Sequence, residues 1–308
     1  MQSQAPNYLL HDRSRLLKAV EELDHHLHQC RLCPNLCGAD RISGHTGVCR
    51  ATDRVKLGSF AVHHGEEPPL SGTHGSGTVF FSHCTLQCLF CQNYPLSQLH
   101  HGKEYTIESL SEAYLWLQQQ GCHNLNWVSA TQYLPQAFHA LLLAREKGLH
   151  IPIVYNSSGW ETEDTIRLLE PIVDIFLPDA RYASEKPAIE YSKAFRYPAI
   201  NERALRRMRE YQPEEVWQEE NGILQKGMIV RVLILPGHAK DAVEMLYRLK
   251  DWFGVSLPIS LMSQYFPCYQ ALEHPVLKRR ILREEYDMAV NALHDLGFES
   301  GWVQEFDA

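Results

Sequence analysis

Nine cysteines are present, and seven of them fall in two tight groups. Cys84, Cys88 and Cys91 stand in "CTLQCLFC" with the spacing C-x3-C-x2-C. Three thiolates on one short loop can each bind a separate iron of a cubane and leave one iron without a protein ligand. An open coordination position is what a catalytic metal keeps and a structural one lacks. The competing readings are a zinc site or three unrelated buried thiols. Zinc, however, usually closes with four ligands in paired C-x2-C units.

The second group is Cys30, Cys33, Cys37 and Cys49, spaced C-x2-C-x3-C-x11-C. Pro34, Gly38, Gly44 and Gly47 supply the turns that let four thiols converge. In a segment with little apolar content, four buried thiols would make a poor core. A metal is therefore the expectation, with zinc and a second iron–sulfur cluster both suited to a four-thiolate set. Cys122 and Cys268 stand alone and read as buried structural residues. In a reducing compartment, clustered thiols are metal ligands rather than disulfides.

The elements that must position these groups follow from periodicity. Residues 12–29 carry Leu16, Leu17, Val20, Leu23 and Leu27 on one helical face. Residues 30–72 are rich in Gly and Pro and read as a loop-rich module. From Gly77 onward, strands alternate with helices. The strands are expected at 78–84, 124–131, 151–158, 173–180, 228–237 and 258–265, with "GWVQ" as a last short one. Helices are expected around 107–117, 135–147, 161–170, 202–211, 243–250 and 284–296, several with Pro at the start or Gly at the end. Six largely apolar strands joined by helices describe a parallel α/β sheet buried on both faces. In such a sheet, ligands gather at the C-terminal ends of the strands. Cys84, Thr131, Asn156, Asp179, His238 and Gln264 fall at those ends.

On "CRLCPNLCGADRISGHTGVCR", "CTLQCLFCQNYPLS", "NLNWVSATQYLPQ", "VDIFLPDARY", "VRVLILPGH" and "LMSQYFP", the chain resembles the radical S-adenosylmethionine (radical SAM) superfamily. It is similar in particular to the pyruvate formate-lyase-activating-enzyme-like, PflX-type iron–sulfur proteins. The resemblance covers nearly the whole chain. It implies an α/β fold, a partial (β/α)6 radical SAM barrel with an N-terminal Cys-rich module. The divisions are a helix and metal module over 1–72, the barrel over 73–270, and a C-terminal helix completing it over 271–308. It implies a [4Fe–4S] cluster on Cys84, Cys88 and Cys91 whose free iron takes SAM. Reductive cleavage of SAM would give a 5′-deoxyadenosyl radical that abstracts hydrogen from substrate, in the narrower version a glycyl-radical enzyme. A low-potential electron donor such as flavodoxin or ferredoxin is the implied partner, and a protein or peptide is a candidate substrate.

The same resemblance gives Phe90 a place beside adenine. Where many members carry Gly-Gly-Glu, this chain reads Ser129-Ala130-Thr131-Gln132, so Thr131 and Gln132 become the candidates for the SAM amino group. Asn156 is a third cofactor candidate. Arg231 meets either a cofactor carboxylate or ribose hydroxyl, or a structural ion-pair partner. The function of another class that fits the cysteines is a zinc-stabilised binding protein, or an iron–sulfur electron-transfer protein without SAM chemistry.

The seventeen histidines add less. His25, His26 and His28 read as a solvated helix face near Cys30, and His83 as a neighbour that tunes the cluster. His63, His64 and His74 lie in polar loops, and "QPEEVWQEE" reads as solvated surface. The composition, 44% apolar and 21% charged, is that of a globular protein. A net charge of −8 offers no basic excess for nucleic acid. No apolar run reaches membrane-helix length. Residues 1–10 show no secretory signal, so a cytoplasmic location is the expectation.

Overall fold

The computed structural model describes residues 5–306. Residues 1–4, where the reading for a leader begins, and residues 307–308 at the end of the last division lie outside them.

Helix α1 (Arg13–His28) starts where the Asp12 side chain accepts the Arg15 backbone N–H. Its face of Leu16, Val20 and Leu23 is buried against the barrel. Strand β1 (Lys56–His63) comes next. A one-turn helix, Pro68–Ser71, leads into β2 (Ser76–Phe81). The barrel repeat then runs through α2 (Ile107–Gln119), β3 (Leu125–Val128), α3 (Leu134–Glu146), β4 (Ile153–Ser157), α4 (Glu163–Leu169) and β5 (Ile175–Pro178). Thr106 and Thr162 cap α2 and α4, each accepting a backbone N–H with its hydroxyl. Two helices follow, α5 (Glu185–Ser192) and α6 (Tyr197–Tyr211), and then β6 (Leu224–Met228) and β7 (Val230–Leu233). The chain ends with α7 (Ala239–Phe253), β8 (Ile259–Met262), α8 (Arg283–Leu296) and β9 (Gly301–Val303).

Strands β2, β3, β4, β5 and β6 are parallel neighbours. Strands β7, β8 and β9 form a second parallel set. A parallel bridge between Asp179 and Arg231 joins the two sets. The barrel therefore reads β2-β3-β4-β5-β7-β8, six parallel strands with β9 at the edge. This is the expected α/β class. Strands β4, β5 and β8 are buried at every residue, as strands covered on both faces must be.

Two features differ from the sequence reading. The fifth strand starts earlier, at Leu224, and breaks at Ile229: β6 pairs with β5, then β7 turns to pair with β8. The change of partner lets one chain segment serve both sheets. The other feature is β1, which lies inside the stretch read as loops. It pairs antiparallel with β2, and only Leu57 of its eight residues is buried, a pattern too weak to mark a strand.

No helix among the described residues is long and apolar enough to cross a membrane. Trp127 of β3 anchors the core between the rings of Tyr114 (6.0 Å) and Phe138 (6.1 Å) and is fully buried. Trp127→Ala should lower stability by about 3–5 kcal/mol in chemical denaturation. A loss below about 1 kcal/mol would show that this packing does not hold α2 and α3 to the sheet.

Candidate functional site

The three-cysteine loop leaves the C-terminal end of β2. His83, with φ +67°, turns the chain there and places Cys84 at the barrel mouth. The loop is then pinned from two sides. The Leu89 N–H donates to the Tyr191 carbonyl (2.8 Å) and Gln87 N–H to that of Ser192 (3.3 Å), both on α5. The Leu89 carbonyl accepts from Ala271 N–H (3.0 Å).

Donors converge on the sulfurs. Cys88 Sγ accepts from Arg181 Nη1 (2.9 Å) and Ser192 Oγ (3.0 Å). Cys91 Sγ accepts from Ser97 Oγ (3.1 Å). Burial, reinforced by the neighbouring thiols, pushes the Cys84 thiol well up and that of Cys91 up to about 11. Cys84 and Cys91 therefore resist becoming thiolates unless a cation joins them. Sulfurs that already accept hydrogen bonds and face one cavity suit a metal–thiolate centre. Among the described residues, no three His, Cys, Asp or Glu side chains gather around one point as ligands of a single ion would. Thiols that each hold a different iron need not do so. In these respects the loop fits the iron–sulfur group its spacing implies.

Beyond the loop lies a cavity of about 530 Å³ lined by all three cysteines, Phe90, Ser129, Asn156, Asp179, Arg181 and Arg231. It opens at the C-terminal ends of the strands, as parallel sheets dictate.

The other sequence candidates separate into those in the wall and those behind it. Phe90 is in the wall, its ring 5.9 Å from that of Tyr265. Asn156 is also there, its Oδ1 accepting from Arg231 Nη1 (3.3 Å). Arg231 lies in the wall as an ion pair. Its Nε and Nη2 make a forked contact with Glu67 (2.7 and 2.6 Å), and Nη2 also meets Glu66. Burial alone would raise the Glu67 carboxyl, but Arg231 overrides it and holds it below its usual range. Of the two readings of Arg231, the ion pair is the one observed.

Thr131 and Gln132 require a correction. Neither lines the cavity, because both side chains are taken by interior partners. Thr131 Oγ1 bonds Tyr155 OH (2.8 Å) and Glu161 (3.2 Å). Gln132 Nε2 donates to the carbonyls of Ser82 (2.9 Å) and Ser129 (2.6 Å). Ser129, held at φ +55°, is the residue of that segment that faces the cavity.

Arg181, Ser192, Ser97 and the Glu66–Glu67 pair escaped sequence reading. Arg181 follows the end of β5 by three residues, which was a usable signal. The serines had none. His83 turns from the cavity floor to bond Tyr133 OH (2.7 Å), and burial lowers it to about 4. Cys268 is buried behind the loop, its thiol 3.4 Å from the Phe90 and Cys91 carbonyls.

In the N-terminal group, Cys30, Cys33 and Cys49 are buried and Cys37 is exposed. Arg41, only 2% exposed, donates to Cys30 Sγ (2.9 Å) and approaches Cys49 Sγ (4.0 Å). Its other contact is the Gln132 carbonyl, and it meets no carboxylate among the described residues. Burial pushes the Cys33 thiol up to about 12. Gly47 passes so close to Cys37 that a Cβ there would strike the sulfur. Asn35 ties the segment to the barrel loop by donating to the Thr85 carbonyl (2.8 Å).

No family model matches the chain. It is 27% identical over 273 residues to "Uncharacterized protein MJ0674" of Methanocaldococcus jannaschii, across 85% of this chain and 73% of that one. Three solved structures are similar to it. They are anSMEcpe with bound AdoMet (14% identity, 71% of this chain and 59% of that, TM-score 0.47), Streptococcus suis SuiB (10%, 73% and 47%, 0.48) and methylornithine synthase PylB (15%, 69% and 59%, 0.46). The chain thus spans about half to three fifths of the length of these structures.

Glu161 is 2% exposed and accepts hydrogen bonds from the Thr131 and Ser157 hydroxyls. Burial raises its carboxyl from 4.5 to about 7. The folded protein therefore holds this proton more tightly than the unfolded chain. Stability from it is full below about pH 4.5 and is lost as the pH rises through about 7. Relative to Glu161→Gln, which does not titrate, the wild type should lose about 3 kcal/mol between about pH 4.5 and pH 8. Parallel stability curves for the two proteins would contradict this.

Proposed function

We propose that this chain is a radical SAM enzyme. The observation that carries the reading is the C-x3-C-x2-C loop at the C-terminal end of the first barrel strand, its three thiols lining one cavity. Cys84, Cys88 and Cys91 would hold a [4Fe–4S] cluster. When bound, the cluster supplies a low-potential electron for cleavage of SAM.

The chain's own residues do the rest. Leu89 and Gln87 dock the loop on α5 and fix where the thiols stand. Phe90 gives the wall an apolar, aromatic surface suited to a nucleoside base. The Arg231–Glu67 fork braces the far wall and keeps Asn156 oriented toward the cavity. Glu66 and Glu67 together outnumber Arg231 by one charge, which favours a ligand that carries a cation, as SAM does. An external low-potential electron donor of the flavodoxin or ferredoxin kind is the partner such chemistry needs. The finer assignment, an activase taking hydrogen from a glycine of a partner enzyme, has motif resemblance as its support, and a glycine-centred EPR signal on that partner is its test.

We infer a second metal centre at Cys30, Cys33, Cys37 and Cys49, supported by Arg41; since no three ligands gather around one point among the described residues, a cluster suits these thiols better than a single ion. A buried guanidinium without a carboxylate is costly unless its neighbours are anionic, and metal-bound thiolates would be.

Two outcomes check these readings. Anaerobically reconstituted protein with dithionite and SAM should release 5′-deoxyadenosine, and the Cys84→Ala, Cys88→Ala, Cys91→Ala triple variant should release none. Full activity in that variant, or zinc without iron or sulfide in the wild type, would end the enzyme reading. The same triple variant should keep a metal at the N-terminal thiols, and Cys30→Ser should lower that residual content several-fold. A metal-free triple variant that remains folded would remove the second site.

A further inference from the structure

We propose that Arg181 and Ser192 are positioning residues that raise the reduction potential of the site by hydrogen-bonding the Cys88 sulfur. This rests on the reading of Cys84, Cys88 and Cys91 as cluster ligands.

The three sulfurs are not equivalent. Cys88 Sγ takes two side-chain donors, one of them a cation: Arg181 Nη1 at 2.9 Å and Ser192 Oγ at 3.0 Å. Cys91 takes one neutral side-chain donor, Ser97 Oγ at 3.1 Å. Among the described residues, no side-chain donor reaches Cys84 Sγ, in contrast to Cys88 and Cys91.

Both donors at Cys88 are held from behind. The Arg181 backbone N–H donates to Tyr197 OH (3.1 Å), whose hydroxyl in turn donates to the Ser158 carbonyl (2.7 Å). The Arg181 guanidinium uses its other end on Asp179, which fixes the aim of Nη1 and offsets part of its charge. Ser192 is the last residue of α5, is 1% exposed, and pairs with Tyr182 OH at 2.6 Å. The loop docks on this same end of α5 through the Ser192 and Tyr191 carbonyls. The Ser192 hydroxyl and the loop it serves therefore sit on one block, and Asp179 holds the Arg181 side chain in its aim.

The effect follows from charge. One electron enters from a one-electron donor of the reduced flavodoxin type, or from dithionite in vitro. The donor would be oxidised by one electron, a cluster held by these thiols would be reduced by one from the two-plus to the one-plus core, and no proton need move. With three thiolates attached, the site becomes more negative on reduction. Donors aimed at a thiolate stabilise the more negative state and move the potential upward.

The test is a potentiometric titration followed by EPR on reconstituted full-length protein without SAM, with iron and sulfide measured in each sample. Ser192→Ala and Arg181→Met should each shift the midpoint to more negative values at wild-type iron content. Arg181→Lys should recover part of the shift by restoring a cation. An unchanged midpoint in Ser192→Ala and Arg181→Met would overturn the proposal and leave the enzyme reading standing. If Arg181→Met does not fold, Ser192→Ala alone decides, since it removes only one hydroxyl. Wild-type protein that takes up no cluster would overturn the ligand assignment itself, and this inference with it.

Discussion

Bringing three thiols to one water-poor corner is the constraint on which the rest of this structure depends. Thiols so placed resist ionisation, as the raised Cys84 and Cys91 values show. Such a loop is stable as thiolate only with a cation among the sulfurs and donors around them. The protein supplies the donors from three separate places. Ser97 comes from the turn after the loop, Arg181 from the chain after β5, and Ser192 from the end of α5. The barrel serves as the frame that makes these distant segments neighbours.

Much of that frame was legible in the residues. Apolar runs gave the six parallel strands, because a strand buried on both faces has no reason to alternate. The three-cysteine loop was legible because its chemistry needs thiols at short spacing on one segment, and short spacing is what a sequence displays directly.

What was not legible depended on contacts between distant segments. Thr131 and Gln132 lie at a strand end, where cofactor residues gather, yet their side chains turn inward to Tyr155, Glu161 and Ser82. Direction at a strand end is set by the next turn of backbone, and Ser129 at positive φ takes the cavity-facing place. Arg231 could be read either way because an arginine in a strand shows no partner until Glu66 and Glu67 arrive from 165 and 164 residues away. The first half of the fifth strand was hidden because Gln225, Lys226 and Gly227 interrupt its apolar run, and only their different partners divide it from the second half.

The central claim is that one iron beside Cys84, Cys88 and Cys91 remains free to bind the nucleotide. It is tested most directly by hyperfine spectroscopy of the reduced, reconstituted protein with SAM isotopically labelled in its methionine amino and carboxylate groups. The account predicts resolved coupling between the label and the reduced cluster. A spectrum that does not change on adding SAM, labelled or not, from fully clustered protein would contradict it.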